Sequence, residues 1–172
     1  MRAAERRRLS AEYAYQAAEE MENAGIMRVN GKYPAACFHA QQAAEGMLKA
    51  VLIASGTDSP RVHHLEDLMV RVPEPHKTRI FQHRPKALLL EKYYLPARYV
   101  DALGGKAPAS VFTLQDADDA IAAAEAIVAA CGEIIGPQAR RRGASIALSA
   151  TANGIAAAPA PGSRRKRGRA KR

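Results

Sequence analysis

Cysteine, tryptophan and long apolar runs are scarce or absent in this 172-residue chain. The only cysteines, Cys37 and Cys131, are too few for a disulfide scaffold or a four-cysteine zinc module. No apolar run approaches the roughly 20 residues that span a bilayer. The basic N-terminus is not followed by the apolar stretch of a signal peptide. We therefore expect a cytoplasmic protein without a membrane segment.

Common catalytic and cofactor motifs are also missing. The sequence has no glycine-rich phosphate loop, no GxGxxG, no GxSxG and no HExxH. Its five histidines form no HxxxH pair, so we expect surface or capping roles and no metal site. Cys37 and Cys131 fall on apolar helix faces, where a small core residue is the ordinary role of cysteine. Nothing in the sequence implies a cofactor.

Positive charge is concentrated in the C-terminal segment. The net charge is +9, but residues 137–172 hold ten of the cations and no acid, which leaves residues 1–136 at −1. We expect a folded domain over 1–136 and a disordered tail over 137–172. The tail ends in seven cations that predict weak, sequence-independent binding to nucleic acid, the alternative being a solvated tail without a partner: Arg164, Arg165, Lys166, Arg167, Arg169, Lys171 and Arg172.

Apolar residues recur every three to four positions up to about residue 136, whereas strand patterns are almost absent. The first helix is predicted from Ser10, a good N-cap, to a stop at Gly25. The second is predicted from Pro34 to Gly56, and a short third over 63–72. Four or five helices with short connections favour an all-α, up-and-down bundle.

Proline and a capping box divide the remaining helical segments. Pro85 predicts a break within 76–95, with the second piece starting at Ala87. Thr113, followed by Asp116 three residues later, predicts the start of the last helix, which runs to about Ile135. Residues 97–110 are rich in turn formers and are predicted to be a loop.

The second helix has a wide apolar face and a polar side. The apolar face covers roughly half the circumference, more than one small core needs, and therefore predicts a homodimer through this helix. On the polar side, Glu45 and Lys49 have the spacing of a favourable ion pair, and Gln42 lies three residues before Glu45. These residues form either a solvated face or a polar cluster that contacts a partner or ligand.

A loop with the sequence LPARYVDAL follows the predicted helix that starts at Ala87. Arg98, Tyr99 and Asp101 lie where a rigid scaffold positions loop residues. Arg98 can hold a phosphate or carboxylate through two parallel hydrogen bonds. The alternative is an internal pair between Arg98 and Asp101 that fixes the loop.

Three stretches in this order resemble HEPN-domain proteins, a family named for higher eukaryotes and prokaryotes nucleotide-binding. KYPAACFHAQQAAEGMLKAVLIASG is similar to the tyrosine-alanine entry and Gln-Ala-x-Glu-x-x-x-Lys helix of that family. VHHLEDLM is similar to its His-x-Leu-x-x-Leu helix start, and ARYVDA to its Arg-Tyr-Pro-Asp loop, with Val100 in place of proline. The resemblance covers about residues 10–136 and implies a helical bundle that commonly dimerises.

The resemblance implies two kinds of function. Many HEPN proteins are RNases with an Arg-x4-6-His motif, and the one formal match here is Arg71 and His76, with two prolines between them. Another branch carries the Arg-Tyr-Pro-Asp loop and resembles the partners of minimal nucleotidyltransferases in toxin–antitoxin modules. This sequence is closer to that branch. By carry-over, its ligand- or partner-binding residues are Glu45, Lys49, His64, Arg98, Tyr99 and Asp101.

The resemblance therefore leaves two hypotheses for the function. The first is a homodimeric module that binds a nucleotide, RNA or a nucleotidyltransferase partner in a toxin–antitoxin-type system. The second is a metal-independent endoribonuclease toxin, in which Arg71 stabilises the charged phosphorane and His76 acts as general acid and base on the 2′-hydroxyl.

Overall fold

The computed structural model describes residues 1–57 and 61–136, and within them the chain is helical without strands. A single 3-10 turn, Asp101–Leu103, interrupts the long connection before the last two helices. The helices of the described residues are α1 (Ala3–Val29), α2 (Tyr33–Ala54), α3 (Leu65–Arg71), α4 (His76–Phe81), α5 (Arg84–Tyr94), α6 (Pro108–Val111) and α7 (Leu114–Ile135). The predicted all-α bundle is confirmed.

Helices α1 and α2 form an antiparallel hairpin packed through small residues. Gly46 of α2 lies so close to α1 that an added Cβ would be 3.2 Å from the Cβ of Ala17. Nearer the open end of the hairpin, the buried Ser10 hydroxyl donates a hydrogen bond to the Ala50 carbonyl over 2.8 Å. These contacts fix the register, so that the first turn of α1 extends past Ala54, the last residue of α2.

Helix α2 lies at the centre of the bundle, packed against α1, α3, α5 and α7. Its large apolar residues, such as Leu48 and Leu52, are fully buried. The predicted dimer interface on this helix is therefore wrong, because its apolar face is covered within the same chain. Whether the protein dimerises through another surface remains a prediction.

Contacts between distant residues set the directions of the helices. The C-terminal turn of α1 meets the start of α7 through an ion pair between Arg28 and Asp118. Tyr93, near the end of α5, packs on Phe112 just before α7, with ring centroids 5.6 Å apart. Helices α2 and α7 therefore run in one direction and α1 and α5 in the other, as an up-and-down bundle requires.

Several helix boundaries differ from the sequence prediction. Helix α1 continues through Gly25 to Val29 and starts at Ala3, seven residues before Ser10, which is buried inside it. The stop at Gly25 is wrong because tertiary packing outweighs the weak helix propensity of glycine: Ala24 is fully buried and Met27 packs against the core. A short helix, α6, also lies in the predicted loop over 97–110.

Other boundaries match closely. The predicted break near Pro85 lies between α4 and α5, and the proline sits in the first turn of α5, where its missing N–H costs nothing. Thr113 caps α7 in a complete capping box with Asp116. None of the described helices is long and apolar enough to cross a membrane. The predicted tail and its seven terminal cations lie outside the described residues, so their properties remain predictions.

Candidate functional site

A buried ionic cluster lies on α2 at the predicted positions Glu45 and Lys49. Their residues are only 5% and 8% exposed, and the Lys49 Nζ donates to Glu45 Oε1 over 2.8 Å. Gln41 and Gln42 donate to the other carboxylate oxygen of Glu45 over 3.2 and 3.4 Å. The alternative of a solvated helix face is therefore wrong, because neighbouring helices enclose these polar groups.

The structure places His63, and not the predicted His64, beside this cluster. The Nδ1 of His63 lies 2.9 Å from Glu45 Oε1, whereas its ring is largely exposed. His64 is instead the exposed residue that precedes α3. The spacing His-x-Leu-x-x-Leu already pointed to His63, because Leu65 and Leu68 follow it at the required positions.

The guanidinium of Arg98, just after α5, contacts three aromatic rings. We call this group the arginine cage. Its Cζ is 4.6 Å from the ring centroid of Phe38 on α2, 4.4 Å from that of Tyr94 and 5.1 Å from that of Tyr99. Its Nε donates to the Tyr94 carbonyl over 3.1 Å. Attraction between a guanidinium and aromatic faces holds the head group in place.

The charge of Arg98 is not neutralised within the described part of the chain. Its two Nη groups form no hydrogen bond or ion pair with a described residue, so the predicted pairing with Asp101 does not occur. Asp101 instead opens the 3-10 turn, in an exposed position. Arg98 and Tyr99 are exposed as well, which leaves the guanidinium edge open to a carboxylate or phosphate.

The ionic cluster and the arginine cage share one face of α2. Phe38, Gln42, Glu45 and Lys49 are spaced by four, three and four residues, the spacing of a single helix face. Seven residues separate Phe38 from Glu45, which corresponds to a rise of about 10 Å along α2. Arg98 thus marks one end of a polar face and His63 lies beside its centre.

The residues of the formal nuclease motif lie elsewhere. Arg71 ends α3 and His76 begins α4, and neither forms a hydrogen bond or ion pair through its side chain with a described residue. The nearby Arg79 is paired with Glu133. Burial, followed by the charge of Lys86, lowers the pKa of His83 below its ordinary value.

Both cysteines are buried in the core, as expected. Burial raises the pKa of the Cys37 thiol to about 12 and also raises that of Cys131. Neither thiol is a candidate nucleophile, because the thiolate is the reactive form. Within 1–57 and 61–136, no three histidine, cysteine, aspartate or glutamate side chains are grouped to hold a metal ion.

Comparison with known proteins identifies the family of the helical bundle. The model of the HEPN domain matches residues 7–134. The chain belongs to the HEPN domain family, which confirms the resemblance inferred from the sequence. The comparison does not assign it to the nucleotidyltransferase-associated branch.

Individual relatives are similar over most of their length. Putative toxin MJ1304 from Methanocaldococcus jannaschii is 27% identical over 120 residues, which cover 65% of this chain and 78% of the relative. The crystal structure of TT1696 from Thermus thermophilus matches with a TM-score of 0.67 and 32% identity, covering 73% of this chain and 97% of that one. ST0689, an archaeal HEPN homologue, matches with a TM-score of 0.59 and 31% identity, covering 74% and 98%.

Proposed function

We propose that this chain is the HEPN partner of a minimal nucleotidyltransferase in a toxin–antitoxin-type system, acting as a cytoplasmic homodimer. Arg98 and the neighbouring loop form the surface that binds the partner or the nucleotide it carries. This proposal rests on the guanidinium of Arg98, because its two Nη groups form no hydrogen bond or ion pair with a described residue. The similarity to a protein named as a toxin supports the biological setting.

The segment around Arg98 has the composition of a binding surface. Of the ten large hydrophobic residues exposed in the described ranges, five lie in residues 95–114, so apolar exposure is concentrated on one connection. They are Leu95, Tyr99, Val100, Val111 and Leu114. Arginine and tyrosine are enriched among the residues that dominate binding energy in protein interfaces.

The chemistry of Arg98 selects an anionic group on the partner. Cation–π contacts and the bond to the Tyr94 carbonyl already fix the side chain, so little rotamer freedom is lost on binding. The free edge of the guanidinium matches a carboxylate or a phosphate through two hydrogen bonds. An acidic side chain of the nucleotidyltransferase, or the phosphate of its nucleotide, satisfies this requirement.

Co-purification tests the proposal. The tagged chain is co-expressed with the nucleotidyltransferase encoded beside it, and the complex is analysed by size-exclusion chromatography with light scattering. We expect co-elution for the natural chain and at least a tenfold weaker complex for Arg98→Ala. Lys92→Ala is the matched control, because Lys92 is an exposed cation on α5 whose side chain forms no hydrogen bond or ion pair with a described residue.

The same measurement reports the oligomeric state. For the chain alone we expect about 37 kDa, twice the monomer mass of 18.5 kDa. Absence of an adjacent nucleotidyltransferase, failure to co-elute, or equal binding by the Arg98→Ala variant would contradict the proposed partner. A mass of 18.5 kDa at micromolar concentration would contradict the dimer.

A metal-independent endoribonuclease is the second candidate. A groove of about 600 Å³ is lined by Val70, Glu74 and Lys77 among others, which are close in sequence to Arg71 and His76, although neither of these two residues lines it. If the chain is a nuclease, the purified protein cleaves single-stranded RNA in EDTA and His76→Ala loses that activity; intact RNA contradicts this candidate.

A further inference from the structure

Charge is unevenly distributed within the near-neutral bundle. The first 12 residues contain four arginines, Arg2, Arg6, Arg7 and Arg8, and two glutamates. The first half of α7, by contrast, carries three aspartates and no cation: Asp116, Asp118 and Asp119. Since α1 and α7 run in opposite directions, the positive start of α1 and the negative start of α7 lie at opposite ends of the bundle.

The arginines at the start of α1 have no evident role in folding. Arg2, Arg7 and Arg8 are exposed and form no side-chain hydrogen bond or ion pair with a described residue. Arg6 makes one long hydrogen bond of 3.4 Å to the Gly56 carbonyl. Cations near a helix N-terminus are disfavoured by the helix dipole. The bundle therefore gains little stability from this cluster.

The ends of α2 and α7 lie at the same end of the molecule as the start of α1. The contact between Arg6 and Gly56 places the start of α1 beside the residues that directly follow α2. Helix α7 runs in the same direction as α2 and ends at Ile135 at this end. In the sequence, the ten cations of residues 137–172 follow this helix.

We propose that the start of α1 is a binding surface for the phosphodiester backbone of a nucleic-acid duplex. Arg7 and Arg8 are its central residues, and Arg2 precedes them at the start of the helix. This inference is independent of the partner proposed for Arg98, because that residue follows α5 at the opposite end of the bundle, beside the start of α2.

A duplex backbone fits the surface for two reasons. Arg2, Arg7 and Arg8 are all exposed, so they can approach a line of phosphates without the enclosed pocket that a free nucleotide requires. Arginine binds phosphate oxygens through two hydrogen bonds, and each phosphate neutralised releases counterions. No aromatic side chain lies among residues 1–12, so stacking on unpaired bases is not available there.

Fluorescence anisotropy with the full-length chain tests this surface. The probes are a fluorescein-labelled duplex of about 20 base pairs of DNA and the RNA duplex of the same sequence, titrated at several NaCl concentrations. For the Arg7→Ala, Arg8→Ala double variant we expect Kd at low salt to rise about fivefold to tenfold. The slope of log K against log salt for DNA should become shallower by about 1.8, or about 0.9 for each phosphate that is no longer neutralised.

Two control variants separate a local surface from net charge and from misfolding. The Lys32→Ala, Lys106→Ala variant removes two exposed cations elsewhere in the described chain and should keep the natural slope. The Arg7→Lys, Arg8→Lys variant preserves the charge and should therefore also keep most of the natural slope. The proposal is refuted if the alanine double variant keeps the natural slope, or if both alanine variants reduce it equally. Binding to phosphatidylserine vesicles that needs Arg7 and Arg8, without duplex binding, would also refute it.

Discussion

Glu45→Ala should destabilise the bundle strongly, because it leaves Lys49 buried without an anion. The Lys49 side chain is only 10% exposed and its Nζ has Glu45 as its partner. Breaking a buried ion pair from one side typically costs about 3–5 kcal/mol, because the remaining charge stays desolvated. His63, Gln41 and Gln42 lose their carboxylate acceptor as well.

The comparison pair for this prediction is Arg79 and Glu133. Both of those side chains are 56% exposed, and exposed pairs contribute about 0–1 kcal/mol. Glu133→Ala therefore removes the same side chain as Glu45→Ala, but from an ion pair that is exposed to solvent. The free energy of unfolding should fall by about 3–5 kcal/mol for Glu45→Ala and by less than about 1 kcal/mol for Glu133→Ala.

Urea unfolding followed by circular dichroism measures both changes, provided that the dependence on urea keeps the same slope. The double variant Glu45→Met, Lys49→Met should recover most of the loss, because neither charge is then left unpaired in the core. A loss below about 1 kcal/mol for Glu45→Ala would show that water reaches Lys49 and would refute the burial argument.

Three further predictions test packing, burial and a helix cap. Gly46→Ala should lower the free energy of unfolding by about 1 kcal/mol, because the close contact with α1 outweighs better helix propensity. Gly25→Ala, with open space around it, should raise that free energy by about 0.5–1 kcal/mol in the same urea assay. Native protein should not react with a thiol reagent at about pH 8, since burial raises the pKa of Cys37 to about 12, whereas urea-unfolded protein should titrate both thiols. The hydrogen bond from the capping threonine lowers the pKa of Asp116, so its stabilisation is present above about pH 4 and is lost as pH falls through the lower folded value. Asp116→Asn should make the free energy of unfolding less dependent on pH between about pH 5 and pH 2. An unchanged pH dependence in this range would contradict the role of Asp116.

Local patterns predicted the helices because helix formation depends mainly on residues within a few positions. The two residues of the capping box, Thr113 and Asp116, are only three positions apart, and the structure reproduces the box. At Gly25 the local pattern failed, because the burial of Ala24 and the ion pair of Arg28 with Asp118 hold the following turn in α1. A penalty of about 1 kcal/mol for glycine is too small to decide against such contacts.

The candidate site was harder to predict because its contacts are distant in sequence. Phe38 and Arg98 are 60 positions apart, and nothing in either local pattern indicates that the ring lies under the guanidinium. Glu45 and Lys49 have the spacing of an exposed pair, and only the central position of α2 buries them. The choice between adjacent His63 and His64 depends on the path of the connection into α3, which the spacing of the leucines indicated.

Net charge was the least informative quantity, because it sums over distances that electrostatic interactions do not span. A total of −1 for residues 1–136 does not by itself indicate a nucleic-acid surface on the domain. Helix α1, with 27 residues, is about 40 Å long. The Debye length at physiological ionic strength is about 8 Å. A phosphate near Arg7 therefore does not interact with the aspartates at the start of α7, and the charge of each end, rather than the sum, determines which partner binds there.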